Sequence, residues 1–237
     1  MAARSLPVAA PAPPRMIASP WHTLIVLLIA GLNAYRGVLV AANVRIGNVP
    51  TRPAMYLRTI FFECVFLAIV VIGVKLSGAP LQTIFGQRWS SFVEMVRDLG
   101  IGAALWFGAF VFVSMISGHG GPPDQSIGYL LPRTSLEFPL WIVLSLVAGV
   151  CEEAIFRGYL QRQFQAFTRS AIAGVLISSA IFGAVHAYQG WQRATVIAVS
   201  AILFGIVAHW RGSVRPGMFA HSLQDAIAPL LLRLMRH

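Results

Sequence analysis

Charged side chains are scarce in this sequence. Only 11% of its 237 residues are Asp, Glu, Lys or Arg, whereas soluble domains carry about 25%. Hydrophobic residues make up 57%, and several separate stretches reach the ~20 apolar residues that a helix needs to cross a membrane. The composition argues against an ordinary soluble domain and predicts an integral, multi-pass membrane protein, in the plasma or inner membrane if the chain is bacterial.

Acidic residues, lysine and cysteine are also rare. The chain has eight Asp and Glu and a single lysine, Lys75, so that arginines supply most of the formal net charge of +10. These arginines are spread through the predicted loops, which indicates contact with the lipid bilayer and argues against binding to nucleic acid. Cys64 and Cys151 lie inside apolar stretches, which argues against a disulfide-stabilised scaffold.

The apolar stretches predict an all-α fold, a polytopic membrane bundle of about seven (six to eight) transmembrane helices. Residues 1–20 are rich in Pro and Ala and predict a disordered tail, and residues 21–237 predict a single transmembrane domain. Residues 80–98 alternate hydrophobic and charged side chains, a pattern typical of one interfacial amphipathic helix. The predicted spans begin near residues 21, 57, 99, 138, 171, 194 and 217.

Two adjacent glutamates, Glu152 and Glu153, lie inside the apolar segment 140–159. A charged residue at the centre of a span costs roughly 2.5–3.5 kcal/mol to insert, and such residues usually face a protein interior or a wet cavity. On a helix, Glu153 and Arg157 are four residues apart and can pair, whereas Glu152 points about 100° away. This pattern predicts Glu152 as a general base and Glu153 as a partner that Arg157 holds in place. A buried ion-pair cluster that only fixes helix packing is the structural alternative.

Three further polar residues fall on later spans at matching depths. His186 lies near the end of the fifth predicted span, and His221 and Asp225 lie four residues apart on the seventh. At 1.5 Å per residue, Glu152 and His186 lie ~20 and ~24 Å from the turn near residues 166–170. His221 and Asp225 lie ~12 and ~18 Å from the start of the seventh span, on the same side. These depths predict one water-filled intramembrane site that contains all four side chains.

Three motifs follow one another on successive predicted helices. They read E-E-x-x-x-R at 152–157, F-x-x-x-H at 182–186 and H-x-x-x-D at 221–225. In this order they resemble the CPBP family, also called the ABI or CAAX-protease family, which includes the Ras-converting CAAX endopeptidase. The resemblance covers about residues 138–230 as a catalytic core. It implies an intramembrane endopeptidase that hydrolyses a peptide bond of a membrane-anchored protein or peptide.

The resemblance also implies a role for each motif residue. Glu152 would activate water with help from His186, and His221 and Asp225 would polarise the scissile carbonyl or stabilise its oxyanion. The second glutamate and the arginine of the first motif would support the site. In the prenyl-protein branch the third motif typically ends in Asn, where this chain has Asp225. Asp225 is therefore expected to be protonated or to orient His221, and the use of prenylated substrates stays open.

The sequence leaves two mechanisms open. Glu152, His186 and His221 could supply three ligands to a zinc ion, with water in the fourth place. The chain lacks an H-E-x-x-H motif, and chemistry based on glutamate and histidine needs no metal. The expectation is therefore a mechanism without a cofactor, with zinc as the alternative.

Two functions of other classes also stay open, as does the oligomeric state. A membrane scaffold or immunity protein could keep the same fold and bind a partner without cleaving it. A proton-coupled transporter could use intramembrane Glu and His as a relay, although no duplicated half is visible in the sequence. The acid of the second span, Glu63, is predicted to pair with an arginine near the interface.

Overall fold

The computed structural model describes residues 15–45, 50–116 and 128–234, so residues 1–14 of the predicted tail lie outside it. Within these ranges the regular structure is helical, without β-strands, and the predicted all-α fold is confirmed. The α-helices are α1 (Pro20–Arg45), α2 (Arg52–Leu76), α3 (Gln82–Phe85), α4 (Phe92–Ile116), α5 (Glu137–Glu152), α6 (Gln161–Thr168), α7 (Ala171–Val185), α8 (Trp191–Arg211) and α9 (Arg215–Leu234).

Seven of these helices stand where the sequence predicts spans. In the described ranges, five helices are long and apolar enough to cross a membrane, namely Pro20–Val44, Arg52–Leu76, Phe92–Met115, Glu137–Thr168 and Trp191–Arg211. The other two are α7, which is apolar but has only 15 residues, and α9, which is amphipathic. The chain is a multi-pass membrane protein, as predicted.

The segment 80–98 does not form the single interfacial helix that its pattern predicts. α3 covers only Gln82–Phe85 and is followed by Gly86, whose φ of 83° lies in the left-handed region and stops the helix. α4 then begins at Phe92, before Leu99, where the sequence predicts the third span to start. Residues 92–98 are therefore the first turns of a long helix.

The bundle is centred on one long helix. α5 continues through a π-helical segment (Glu153–Leu160) into α6, and this continuous helix, Glu137–Thr168, is here called the glutamate helix. α9 packs against α5 and α4, α7 packs against α8 and α6, and α2 packs against α5. Ile155 and Leu160 are fully buried in the main hydrophobic core, which α1 and α2 also line. The π-helical segment thus lies at the centre of the packed helices.

Buried hydrogen bonds fix the start of α1 to the glutamate helix. The side-chain oxygen of Gln163 accepts from the main-chain N–H of Ile17 at 2.8 Å. Its amide nitrogen donates to the carbonyl of Ala18 at 3.0 Å and to the hydroxyl of Thr23 at 2.7 Å. Because an unpartnered buried polar group costs roughly 1–3 kcal/mol, these contacts define where α1 packs. They place the start of α1 beside the C-terminal end of the glutamate helix.

A buried aspartate connects α4 to α8. Asp98 accepts a hydrogen bond from Trp89 Nε1 at 2.8 Å. Two nitrogens of Arg211, Nε and Nη2, lie 2.9 and 2.8 Å from Asp98 Oδ1. Hydrogen bonds between charged groups are among the strong ones in proteins. This contact fixes the end of α8, the helix that carries Phe204 against the site described below.

Candidate active site

The structure brings all six predicted site residues into one cluster. They come from the glutamate helix, from the residue that follows α7 and from α9, and each lies within 4.0 Å of another member. The predicted proximity of these side chains is confirmed, and their individual roles stay predictions. The six residues are Glu152, Glu153, Arg157, His186, His221 and Asp225.

Glu153 and Arg157 form a fully buried ion pair, as predicted. Arg157 Nη1 lies 2.9 Å from Glu153 Oε1, and the two side chains are 3% and 0% exposed, respectively. The guanidinium of Arg157 also lies 4.1 Å from the ring centre of Phe182 and 5.4 Å from that of Phe204. Removing two charges from water is unfavourable, and contacts with aromatic faces help to offset the desolvation. The two charges thus compensate each other inside the bundle, beside the aromatic rings of Phe182 and Phe204.

Two glycines allow α9 to approach the glutamate helix closely. A Cβ atom at Gly217 would lie 2.7 Å from Glu153 Oε2. A Cβ atom at Gly149 would collide with the hydroxyl of Ser222 on α9. With no side chain at either position, α9 comes near enough for His221 to reach Glu153.

The adjacent glutamates stand at a change of helix type. α5 ends at Glu152, and the π-helical segment begins at Glu153. π-helical turns are rare in proteins and occur frequently at functional sites. Ser178 on α7 donates a hydrogen bond at 2.7 Å to the carbonyl of Phe156, within this segment. The sequence pattern predicts a regular α-helix here, and this prediction is wrong because no residue type marks a π-helical turn.

Both nitrogens of His221 face carboxylates. Nδ1 lies 3.3 Å from Glu153 Oε1, and Nε2 lies 3.8 Å from Glu152 Oε2 and 3.6 Å from Asp225 Oδ2. Because an ionised carboxylate only accepts hydrogen bonds, the contact with Glu153 places a proton on Nδ1. Glu153 therefore lies on the Nδ1 side of His221, while Asp225 lies on the Nε2 side together with Glu152.

The tautomer of His186 follows from one contact. Its Nδ1 lies 2.8 Å from the carbonyl oxygen of Phe182, which can only accept, so Nδ1 carries the proton. Nε2 of the neutral ring is then an acceptor, and it lies 4.0 Å from Glu152 Oε2. Two acceptors at this distance do not bond directly, but they can share one water molecule through hydrogen bonds of about 2.8 Å each.

Glu152 differs from Glu153 in what surrounds it. Its side chain is 16% exposed, and it lines a cavity of about 170 Å³ together with His186. The volume leaves room for water molecules beside the two side chains. α1, α2 and the short segment before α5 form the other walls, with the polar residues Asn33, Arg36, Arg58, Thr59, Glu63 and Tyr129.

The cavity walls on α1 and α2 are not predicted from the sequence. Asn33 and Arg36 are three residues apart, and Thr59 and Glu63 are four apart, so each pair shares a helix face. Polar residues at this spacing in otherwise apolar helices could have indicated that these helix faces line a cavity. The three motifs do not include these residues. These walls come from a part of the chain that carries none of the motifs.

Glu63 does not make the ion pair that the sequence predicts. Its side chain is buried, with 5% exposed. In the described part of the chain, no arginine forms an ion pair with it, and its Oε2 has no hydrogen-bond partner. Arg58, the preceding arginine on α2, is five residues away, which is off the i,i+4 position at which helical side chains pair.

The proposed zinc ligands do not fit a metal site as they are placed. Within residues 15–45, 50–116 and 128–234, no three His, Cys, Asp or Glu side chains are arranged to hold a metal ion. The Nε2 atoms of His186 and His221 lie 4.0 and 3.8 Å from one oxygen of Glu152. We therefore assign no step to a metal.

The chain matches the model of a known family. The family model described as Type II CAAX prenyl endopeptidase Rce1-like matches residues 134–227. The matched segment contains all six site residues, so the match confirms the resemblance to the CAAX-protease family that the three motifs indicate. α1 to α4 lie outside the matched segment. Comparisons with curated proteins and with solved structures give no match.

Proposed function

We propose that this protein is an intramembrane endopeptidase of the CAAX type, which hydrolyses a peptide bond of a membrane-anchored protein or peptide. The family match of residues 134–227 supports the reaction class. One geometric observation carries the mechanism: Glu152 Oε2 and His186 Nε2 lie 4.0 Å apart, and both residues line a cavity inside the bundle.

In the first step, Glu152 and His186 hold the nucleophilic water between them. The water donates one hydrogen to Glu152 Oε2 and the other to His186 Nε2, which leaves a lone pair directed at the scissile carbonyl carbon. As the new C–O bond forms, Glu152 takes a proton from the water as general base. The carbonyl of Phe182 keeps His186 in the tautomer that this arrangement requires.

His221 stabilises the negative charge that develops on the carbonyl oxygen. Glu153 accepts from Nδ1 of His221, and the opposite edge of the ring faces Glu152. With a second proton on Nε2, the ring donates a hydrogen bond to the oxyanion. A donor that is already in position contributes strongly to catalysis, because it needs no reorganisation during the reaction. In this proposal Asp225, whose Oδ2 lies 3.6 Å from Nε2, accepts from the Nε2 proton between turnovers.

The tetrahedral intermediate then collapses. Glu152 passes its proton to the amide nitrogen of the leaving group, the C–N bond breaks and the carbonyl re-forms. The products are a new carboxyl terminus and a new amine, and Glu152 returns to its ionised form. Enclosure among helices limits access of other water molecules and strengthens the electrostatic interactions that act on the intermediate.

Cleavage by the purified protein tests this function. The protein is reconstituted in liposomes with a farnesylated peptide that ends in a CAAX sequence, and in parallel with the same sequence attached to a transmembrane helix. We expect mass spectrometry to find a new carboxyl terminus with at least one of the two. If both substrates are still intact after prolonged incubation, the proposed reaction class is contradicted.

Metal chelation is expected to leave cleavage unchanged. The mechanism uses only Glu152, His186 and His221, and the donors are not arranged as a zinc site. The initial rate is measured before and after dialysis against EDTA, with the metal content of the protein determined in parallel. Loss of activity that added Zn²⁺ restores would contradict the metal-free mechanism and leave the protease assignment intact.

A further inference from the structure

Glu63 is a buried carboxylate that has no role in the mechanism proposed above. It lies on α2, outside the segment that matches the family model. Only 5% of it is exposed, and its Oε2 has no hydrogen-bond partner in the described part of the chain. It lines the same cavity as Glu152 and His186. We therefore expect the hydrogen-bond donor for Glu63 Oε2 to belong to a molecule that binds in the cavity.

Two other buried acids show what a structural carboxylate looks like in this protein. Glu153 has Arg157 at 2.9 Å, and Asp98 has Arg211 at 2.8 Å. Each acid thus faces a guanidinium that compensates its charge. Among the described residues Glu63 has no such partner, although a charged group inside a membrane bundle is costly and is usually retained for function. The contrast favours a ligand-binding role over a packing role.

The cavity also indicates which kind of donor Glu63 meets. Arg36 and Arg58 line it, and the guanidinium of Arg36 lies 5.6 Å from the ring centre of Phe62, next to Glu63. These two guanidinium groups balance the charges of Glu63 and Glu152, so the cavity has no excess negative charge that would attract a lysine or arginine side chain of the substrate. An uncharged N–H donor is compatible with them, and every peptide substrate carries such donors along its main chain.

We propose that Glu63 is a substrate-binding residue, whose Oε2 accepts a hydrogen bond from a main-chain N–H of the substrate next to the scissile bond. The inference rests on the proposed function of the same cavity. Glu152 and His186 hold the water, and Glu63 holds the peptide, so that the scissile carbonyl carbon faces the water. Positioning of this kind contributes to catalysis because it removes freedom that the reacting groups would otherwise have to lose.

The variant Glu63→Leu removes the proposed hydrogen bond to the substrate without leaving a cavity where the Glu63 side chain was. Leucine fills a similar volume and replaces an unpartnered carboxylate, so Tm is expected to stay unchanged or rise. We expect kcat/KM to fall roughly 10- to 100-fold, because a hydrogen bond to a charged group is lost, with most of the change in KM. Glu94→Leu, which removes a partly exposed carboxylate at the start of α4, is the matched control and leaves kcat/KM unchanged.

The donor is identified by altering the substrate. Main-chain N–H groups beside the scissile bond are replaced one at a time by an ester oxygen. We expect one replacement to lower kcat/KM for the wild-type protein and to have no further effect in Glu63→Leu. A lysine-to-norleucine scan of the same peptide tests basic side chains. If only the lysine replacements lower kcat/KM in the wild-type protein and not in Glu63→Leu, the assignment to a main-chain N–H is overturned.

The remaining outcomes separate this inference from the proposed function. Equal kcat/KM for wild type and Glu63→Leu would overturn the inference and leave the protease assignment standing. A parallel fall in Tm and activity, with the ester effect retained in Glu63→Leu, would make Glu63 structural and also overturn it. If neither the wild-type protein nor Glu63→Leu cleaves the farnesylated peptide, the Kd of the peptide is measured for both proteins instead. Weaker binding to Glu63→Leu would then support the contact while the proposed function fails.

Discussion

The Glu152→Gln variant is expected to lose peptide-bond hydrolysis, with kcat falling roughly 10²- to 10⁴-fold. Glutamine has the same shape but cannot take a proton from the attacking water. The fold should tolerate the change, since Glu152 is partly exposed and its Oε2 has no hydrogen-bond partner among the described residues. Single-turnover rates and thermal unfolding, measured in the same detergent, should therefore show a large loss of rate and little change in Tm.

Glu137→Gln is the matched control for this prediction. Glu137 lies at the start of the same helix, and its carboxylate accepts hydrogen bonds from the main-chain N–H groups of Arg133 and Thr134. Glutamine can still accept there, so the rate should stay at the wild-type level. Wild-type cleavage by Glu152→Gln would contradict the general-base role and favour a structural role for both glutamates.

The Arg157→Met variant is expected to destabilise the protein by about 3–5 kcal/mol. Methionine fills much of the same space, but it leaves the fully buried carboxylate of Glu153 without its charged partner. The contacts of the guanidinium with the Phe182 and Phe204 rings are lost as well. Equilibrium unfolding in mixed micelles measures the loss of stability directly.

The double variant Glu153→Gln/Arg157→Met distinguishes charge from packing. It leaves no uncompensated charge in the core, so it is expected to be more stable than Arg157→Met alone, although His221 loses an ionised partner and activity stays low. Such non-additive effects are usual for side chains in direct contact. If the double variant loses as much free energy of unfolding as the two single variants lose together, Glu153 and Arg157 contribute only independent contacts.

The two glutamates are expected to have different roles because their surroundings differ. Glu153 is fully buried, paired with Arg157 and next to Nδ1 of His221. Glu152 is partly exposed and faces the cavity and His186. A carboxylate that is already paired is a poor proton acceptor, whereas one beside water is free to act as a base. In the proposed mechanism, adjacent positions in the chain thus provide a supporting residue and the general base.

Helix geometry explains why the cluster was predictable from sequence. The four-residue spacings of Glu153 to Arg157 and of His221 to Asp225 set which side chains share a face, and a constant rise per residue sets their depth in the bundle. Both properties depend only on the chain being helical, which the apolar segments already indicate. The ion pair and the contact between Glu152 and His186 follow from them.

Other features depend on contacts between distant parts of the chain. The π-helical segment that begins at Glu153 has no residue signature, and the hydroxyl of Ser178 from another helix bonds to it. The pattern over residues 80–98 fits one amphipathic helix, yet the left-handed backbone at Gly86 ends α3 early. Glu63 has no arginine one turn away, so its surroundings follow from how α1 and α2 pack against the site.

A single-turnover cleavage in H₂¹⁸O tests most directly whether Glu152 activates water. Reconstituted wild-type protein in excess cleaves the farnesylated peptide, and mass spectrometry follows both the new carboxyl terminus and the proteolytic fragment that contains Glu152. The mechanism predicts one ¹⁸O atom in the new carboxyl group of the product and none in Glu152. Label in the Glu152 side chain would show direct attack by the carboxylate and contradict the mechanism, as would the absence of any cleaved product.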